Sequence, residues 1–232
     1  MAFHHSPRIV SDGLTFAVDP ANSRSHISGS TTATDVISGA NGSFTGNTQF
    51  LSQNQGVFDF DGTDDYIDFS THQVLDTSAA FTIAAWGHLD SFSPDVYPGL
   101  IRCKTDQATG FITGFSNQSG YEFYAGSSAN FVMIYSGIDT SEVLNKWVYA
   151  TVTYNGSGRT SNGNYKLYLN GVSKTVSNTS GFSATDNSTR IGMGNTTSTQ
   201  WNGQISAVHV YNRELSANEV LQNYNALKGR FE

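Results

Sequence analysis

The feature that most constrains this chain is its punctuation. Short runs of apolar, aromatic and β-branched residues recur at close intervals, separated by glycine-bearing turns. Phe81 to Trp86, Gly99 to Lys104, Phe111 to Phe115, Tyr121 to Ala125, Phe131 to Tyr135 and Lys146 to Tyr154 each read as a strand, followed by Thr189 to Met193 and Gln204 to Tyr211. The clearest hairpin is Tyr165 to Lys174, where Asn170-Gly171 supplies the two positive-φ residues of a type I′ turn. About a dozen such strands predict an all-β, two-sheet antiparallel sandwich of jelly-roll type rather than a barrel enzyme. In the longest run, Trp147, Tyr149, Thr151 and Thr153 share one face and Val148, Ala150, Val152 and Tyr154 the other. Both faces can be covered, as for a central strand.

One helix breaks the pattern. Ser216-Ala217-Asn218-Glu219 is a capping box, and Val220, Leu221, Tyr224 and Leu227 then recur at helical spacing. They predict a helix over 216–228 that lies across the sandwich by this stripe. Residues 1–8 read as a flexible arm and Ile9 to Asp19 as a first strand. The polar stretch 20–56 reads as a loop-rich segment with one or two short edge strands. With no convincing boundary or repeat, 1–232 is taken as one domain.

Composition removes several functions. Charged residues make up 13%, against roughly 25% in an average globular protein. The net charge is −7 with only 12 Lys and Arg, and no basic run is present to neutralise phosphates, which excludes nucleic acid as a partner. No apolar stretch approaches the roughly 20 residues that span a bilayer, so no membrane insertion is expected. Met1 to Arg8 lacks the apolar centre of a secretory signal. Cys103, the only cysteine, permits no internal disulfide and lies in a strand-like run, which suits a buried structural thiol made in a reducing cytoplasm.

Chemistry concentrates in Val57 to Phe69, two apolar strands joined by an acidic glycine turn and read as a hairpin. Asp59, Asp61, Asp64, Asp65 and Asp68 crowd this stretch. Asp61, Asp64 and Asp65 in the turn are candidate ligands for Ca²⁺, the one cofactor the chain invites; capping of backbone amides is the other reading of the same side chains. A glycan site needs an exposed aromatic ring with amides or carboxylates nearby. Trp201, between Gln200 and Asn202, and Phe92 and Tyr97, in the proline-containing loop 90–98, are the candidates. For Trp201 packing is the stronger reading, and Trp86 and Trp147, within strands, read as core.

Catalytic patterns are missing. The chain has five Glu, at 122, 142, 214, 219 and 232, and only Glu214 and Glu219 are neighbours, at the helix entry where capping accounts for Glu219. No nucleophile elbow, zinc-binding helix or phosphate loop is found, and His26, His72, His88 and His209 stand alone. The chain reads as non-enzymatic.

The stretch Val57 to Ile67 resembles the FDGxDDYV signature of laminin-G-like, concanavalin A-like jelly-roll domains. Further matches follow in order: Phe81 to Trp86, Lys146-Trp147, Leu167 to Gly171, and Asn202 to Ile205 through Tyr211 to Ser216. The resemblance implies a jelly roll, a fold that carries lectins, pentraxin-like modules, glycosidases and adhesive domains alike. Ile9 to Leu14 and Leu221 to Ala226 are similar to a variant common among bacteriophage virion proteins. That narrower resemblance implies a virion structural protein, a capsid decoration or tail fibre component made in the host cytoplasm. Its partners would be other capsid or tail proteins, host-surface glycans and further copies of itself. The alternative is a calcium-assisted carbohydrate-binding lectin module of a secreted or cell-surface protein.

Overall fold

The computed structural model describes residues 7–75, 79–92, 97–105, 111–127, 130–137, 140–158, 161–179, 188–194 and 199–232. His4 and His5 of the N-terminal arm and residues 93–96 of the loop 90–98 lie outside this set. In chain order the first strands are β1 (Leu14–Val18), β2 (Thr32–Thr34), β3 (Asn41–Thr45), β4 (Gln49–Leu51), β5 (Val57–Asp61) and β6 (Tyr66–Asp68). Next come β7 (Gln73–Leu75), β8 (Phe81–Leu89), β9 (Gly99–Thr105), β10 (Phe111–Ser116), β11 (Gly120–Ser127) and β12 (Asn130–Tyr135). The last are β13 (Trp147–Tyr154), β14 (Tyr165–Leu169), β15 (Val172–Lys174), β16 (Ser177–Thr179), β17 (Arg190–Ile191) and β18 (Asn202–Tyr211). A helix, α1 (Ala217–Leu227), runs into a 3₁₀ turn at Lys228–Arg230.

The strands form two facing sheets, the sandwich that the strand spacing predicts. The first has the order β15-β14-β13-β8-β18-β5-β4, with β1 also paired to β18; the second runs β16-β12-β11-β10-β9-β17-β6-β3-β2, with β7 beside β9. All pairs are antiparallel except β7 with β9. The core between the sheets combines Phe58, Phe60, Ile83, Val152 and Val210 from the first with Ile67, Ile101, Phe111, Phe123 and Ile134 from the second. Cys103 is part of this core, and burial pushes its thiol pKa up, so it stays protonated and inert.

Two predicted elements form as read, because their signals are local. Asn170 and Gly171 have φ values of 52° and 77° between β14 and β15, the geometry of a type I′ turn. At the start of α1 the Ser216 hydroxyl accepts from the Glu219 amide while the Glu219 carboxylate accepts from the Ser216 amide, completing the capping box.

Three expectations need correction. The acidic stretch is no hairpin: β5 pairs with β18 and β4 in the first sheet, whereas β6 pairs with β17 and β3 in the second. Phe58 and Phe60 therefore face the core from one side and Ile67 from the other, and the aspartate turn crosses between sheets at one end of the sandwich. Segment 20–56 is more regular than expected, giving β2 and β3 to the second sheet and β4 to the first.

Trp86 is core as read, with Trp147 packed against its cluster, but this core is a second one outside the space between the sheets. Both tryptophans lie on the outer face of the first sheet, in a separate cluster with Tyr149, Ala84 and Ala207 that Tyr224, Leu227 and Phe231 cover. The outer residues of β13 thus meet a third layer, which is why both faces of that strand are apolar. Val220 anchors α1 among Tyr168, Tyr211 and Leu215, but Leu221, expected in the buried stripe, is 42% exposed.

Candidate functional site

The aspartates gather where the chain crosses between sheets. Asp61 ends β5, and its Oδ1 accepts from the Thr63 amide at 2.7 Å, which tightens the turn. Gly62 follows with φ of 77°, and a Cβ there would come within 2.7 Å of the Asn202 side chain, so the turn tolerates only glycine. Asp65 faces inward and is 2% exposed. Its Oδ2 accepts from the Asp61 amide at 2.9 Å and its Oδ1 from the Asn47 amide at 2.5 Å. One carboxylate thus ties the crossover to the turn between β3 and β4. Gly46 in that turn, at φ of 67°, lies so close that a Cβ would fall 2.6 Å from Asp64 Oδ1.

Asp61, Asp64 and Asp65 each offer an oxygen within 4.8 Å of the others, with Asp61 and Asp64 exposed and Asp65 buried. Burial raises the Asp65 pKa; the Asp61 and Asn47 amides oppose this, and the charges of Asp61 and Asp64 add to it. A divalent cation would relieve the burial of an unbalanced charge and the repulsion at one stroke. The donor set fits Ca²⁺, which takes carboxylate and carbonyl oxygens in flexible geometry. Asp61 Oδ2 and both Asp64 carboxylate oxygens carry no hydrogen bond among the described residues, and each Asp65 oxygen keeps a second lone pair. The triad can therefore hold such a metal.

The fold extends this acidic end with residues that sequence spacing did not connect. Strand order β8-β18-β5 sets Gln204 opposite both His88 and Asp59, and Asn202 opposite Asp61. Gln204 Nε2 donates to Asp59 Oδ1 at 3.1 Å, and His88 Nδ1 contacts Asp90 Oδ1 at 2.6 Å. The Asp59 pKa is raised, first by burial and then by the charges of Asp90 and Asp61, with the Gln204 amide acting against them. The alternation of Asp59 and Asp61 along β5 was a legible signal for a shared face. That Asp90 and Gln204 join them depends on strand order alone.

The three aromatic candidates do not form one platform. Trp201 is fully buried, packs against Phe115 with centroids 5.8 Å apart, and donates its indole N–H to the His88 carbonyl at 3.2 Å. A ring closed on all sides offers no face to a sugar, so its role is packing. Phe92 is half-buried against the core. Tyr97 alone presents its ring to solvent, at 38% exposure, with its hydroxyl donating to Gln118 Oε1 at 3.3 Å.

A two-sheet antiparallel sandwich with an acidic crossover at one end defines the concanavalin A-like class of β-sandwich domains. The laminin G-type family model described as the concanavalin A-like lectin/glucanases superfamily matches residues 61–221. The chain belongs to that superfamily. No curated protein sequence matches it. Among solved structures, the receptor-binding domain of botulinum neurotoxin C/D mosaic serotype superposes with a TM-score of 0.62 at 17% identity, covering 93% of this chain and 51% of that one. Domain 4 of AbnA, a GH43 extracellular arabinanase from Geobacillus stearothermophilus, in complex with arabinotriose, gives 0.64 at 14% identity, covering 91% and 98%. The binding domain of Paraclostridial Mosquitocidal Protein 1 gives 0.60 at 16%, covering 92% and 52%. The chain spans about half the length of the toxin domains and nearly all of the arabinanase domain. At these identities the likeness is one of fold.

Proposed function

We propose that the protein is a non-enzymatic carbohydrate-binding domain whose glycan contact is assisted by calcium at Asp61, Asp64 and Asp65. The observation that carries this reading is the inter-sheet carboxylate triad, in a chain whose fold matches nearly the full length of a domain solved with arabinotriose. A cation held at the exposed side of the triad can accept sugar hydroxyls as further oxygen ligands. Asp59, Asp90, Asn202 and Gln204 supply hydrogen-bonding groups around it, and the exposed Tyr97 is the one sequence candidate with a ring free for stacking.

Hydrolysis would need one carboxyl placed to protonate a leaving group and another to attack or activate water. Asp65 has a raised pKa, but it is buried and both its oxygens hold backbone amides. Glu219 is committed to Arg213 and the helix cap, and Glu214 to Lys166. These engagements support a binding rather than a catalytic role.

The deciding experiment is a glycan array, including arabino-oligosaccharides, in excess calcium and again with chelator. Binding that needs calcium and is lost in Asp64→Ala is the expected result; an array without signal in excess calcium would overturn the reading.

The virion reading rests on the paired sequence stretches near the two ends, and the structure offers another reason for their pairing. The Val10 amide donates to Asn223 Oδ1 at 2.7 Å, so the first stretch packs on the second. None of the structures named above is a phage protein. Mass spectrometry of purified particles from the source that detected this chain in stoichiometric amounts would restore a capsid or tail role.

A further inference from the structure

We propose that Tyr224–Phe231, the second half of the terminal helix and the turn after it, is an acid-released lid over the outer face of the first sheet. The two halves of α1 are fastened differently. In the first half, Val220 is fully buried, and Asn223 accepts from the Val10 amide at 2.7 Å while donating to the Tyr211 hydroxyl at 3.0 Å. That hydroxyl in turn donates to the Val10 carbonyl at 3.0 Å. Beyond Asn223 the character of the contact changes. Phe231 stacks on Trp86 at 4.4 Å and meets Trp147 at a tilt, 4.6 Å between centroids, and Tyr224 stacks on Trp86 at 5.5 Å. Beneath these rings the indole N–H of Trp86 and Nδ1 of His209 are buried without a hydrogen-bond partner among the described residues. Groups of this kind are solvated when the cover lifts, which lowers the free-energy gap to the open state.

One side chain closes the lid. Arg230 donates Nε to the Asn54 carbonyl at 3.1 Å, Nη1 to the two Asp19 oxygens at 3.1 and 2.9 Å, and Nη2 to the Gly56 carbonyl and Ser206 Oγ at 3.1 and 3.0 Å. Beside this anchor, His209 borders a cleft of about 480 Å³ together with Asp19, Ala226 and Leu227. The charged groups facing the imidazole are Asp19, Arg230 and, across the cleft, Arg8. Asp19 already serves Arg230. A proton on His209 is drawn by Asp19 and repelled by Arg230, and the cost that remains is burial of the charge, which opening relieves.

Burial holds the imidazole pKa down to about 4, from an ordinary 6.5; Asp19 acts against that shift and Arg230 adds to it. A depressed histidine favours the closed form at neutral pH. Below about 6.5 the open form takes up a proton that the closed form refuses, so closure weakens as pH falls towards 4. Between pH 7 and 4.5 the open-to-closed ratio rises about 50-fold, baring the Trp86, Trp147 and Tyr149 rings.

Hydrogen exchange of the intact chain, corrected for intrinsic rates, tests this at both pH values. Peptides spanning 224–232 should lose protection about 50-fold at pH 4.5 and exchange far faster than β8 and β13 at both pH values, and His209→Gln should abolish the loss. Exchange of 224–232 no faster than that of β8 and β13, or an unchanged response in His209→Gln, would overturn the proposal. Should His209→Gln fail to fold, Arg230→Lys supplies the second test. It should open 224–232 already at pH 7 while residues 217–222 stay protected, and a fully protected segment in that variant would equally overturn the lid.

Discussion

Replacing Trp201 by alanine separates a packing residue from a sugar-binding one. The indole is wholly enclosed, with Phe115 against one side and the bare backbone of Gly87 against another, where a Cβ would come within 2.9 Å of the ring. Emptying a buried tryptophan site costs about 3–5 kcal/mol. Loss of the N–H bond to the His88 carbonyl adds about 1 kcal/mol. The total, about 4–6 kcal/mol, is a large part of the 5–15 kcal/mol by which domains are stable. For a chain of this length it corresponds to a fall in Tm of about 10–20 °C. Urea denaturation followed by far-UV circular dichroism measures it without relying on the removed fluorophore. Any glycan binding should decline only in proportion to the folded fraction. Tyr97→Ala is the contrasting variant, expected within about 0.5 kcal/mol of the parent because its ring is exposed. Should Trp201→Ala keep its stability within about 1 kcal/mol and lose binding outright, the burial argument is wrong.

Other consequences follow from the same geometry. Calcium at a hundredfold excess over its Kd should stabilise the fold by about 2.7 kcal/mol, and differential scanning calorimetry should find that increment missing in Asp64→Ala. Gly46→Ala combines a positive φ with a Cβ directed at Asp64, so it should cost at least about 1–2 kcal/mol and weaken the calcium response measured by titration calorimetry. Ser216→Ala removes half of the capping box and should cost about 1 kcal/mol by denaturant midpoint. The Arg213 hydrogen bond is the main reason the Glu219 pKa is lowered to about 2. Its stabilisation is present above pH 4.5 and lost as pH falls towards 2, so Glu219→Gln should flatten the acid limb of a stability–pH curve over that interval.

The parts of the fold that were legible in the sequence are those whose signal is local. An Asn-Gly pair between alternating strands and a Ser-x-x-Glu box before an apolar stripe each act within a few residues, and each formed where it was read. The aspartate stretch was misread because two strands around a tight acidic turn carry the same alternation whether they pair with each other or enter opposite sheets. Partner choice lies with β18 and β17, more than a hundred residues further on. Trp201 shows the same limit at the scale of one side chain. Packing is its stronger reading and its burial agrees, but the room for the ring comes from Gly87 of a distant strand, which no local pattern names. The triad itself could be listed from the sequence, but the Asn47 amide that holds Asp65 could not.

The position of β18 has a consequence for how the chain is made. One edge of this strand pairs with β8, and the other is shared by β5 at its start and β1 at its end. Residues 202–211 are thus the seam that joins strands beginning at residues 14, 57 and 81. During synthesis those earlier segments must wait as unpaired edges until the seam has left the ribosome, because no other strand can bridge them. Closing so many distant pairings at once makes folding slow. A protein built this way passes its most vulnerable moments before residues 202–211 emerge, when waiting edges can pair wrongly or with neighbours.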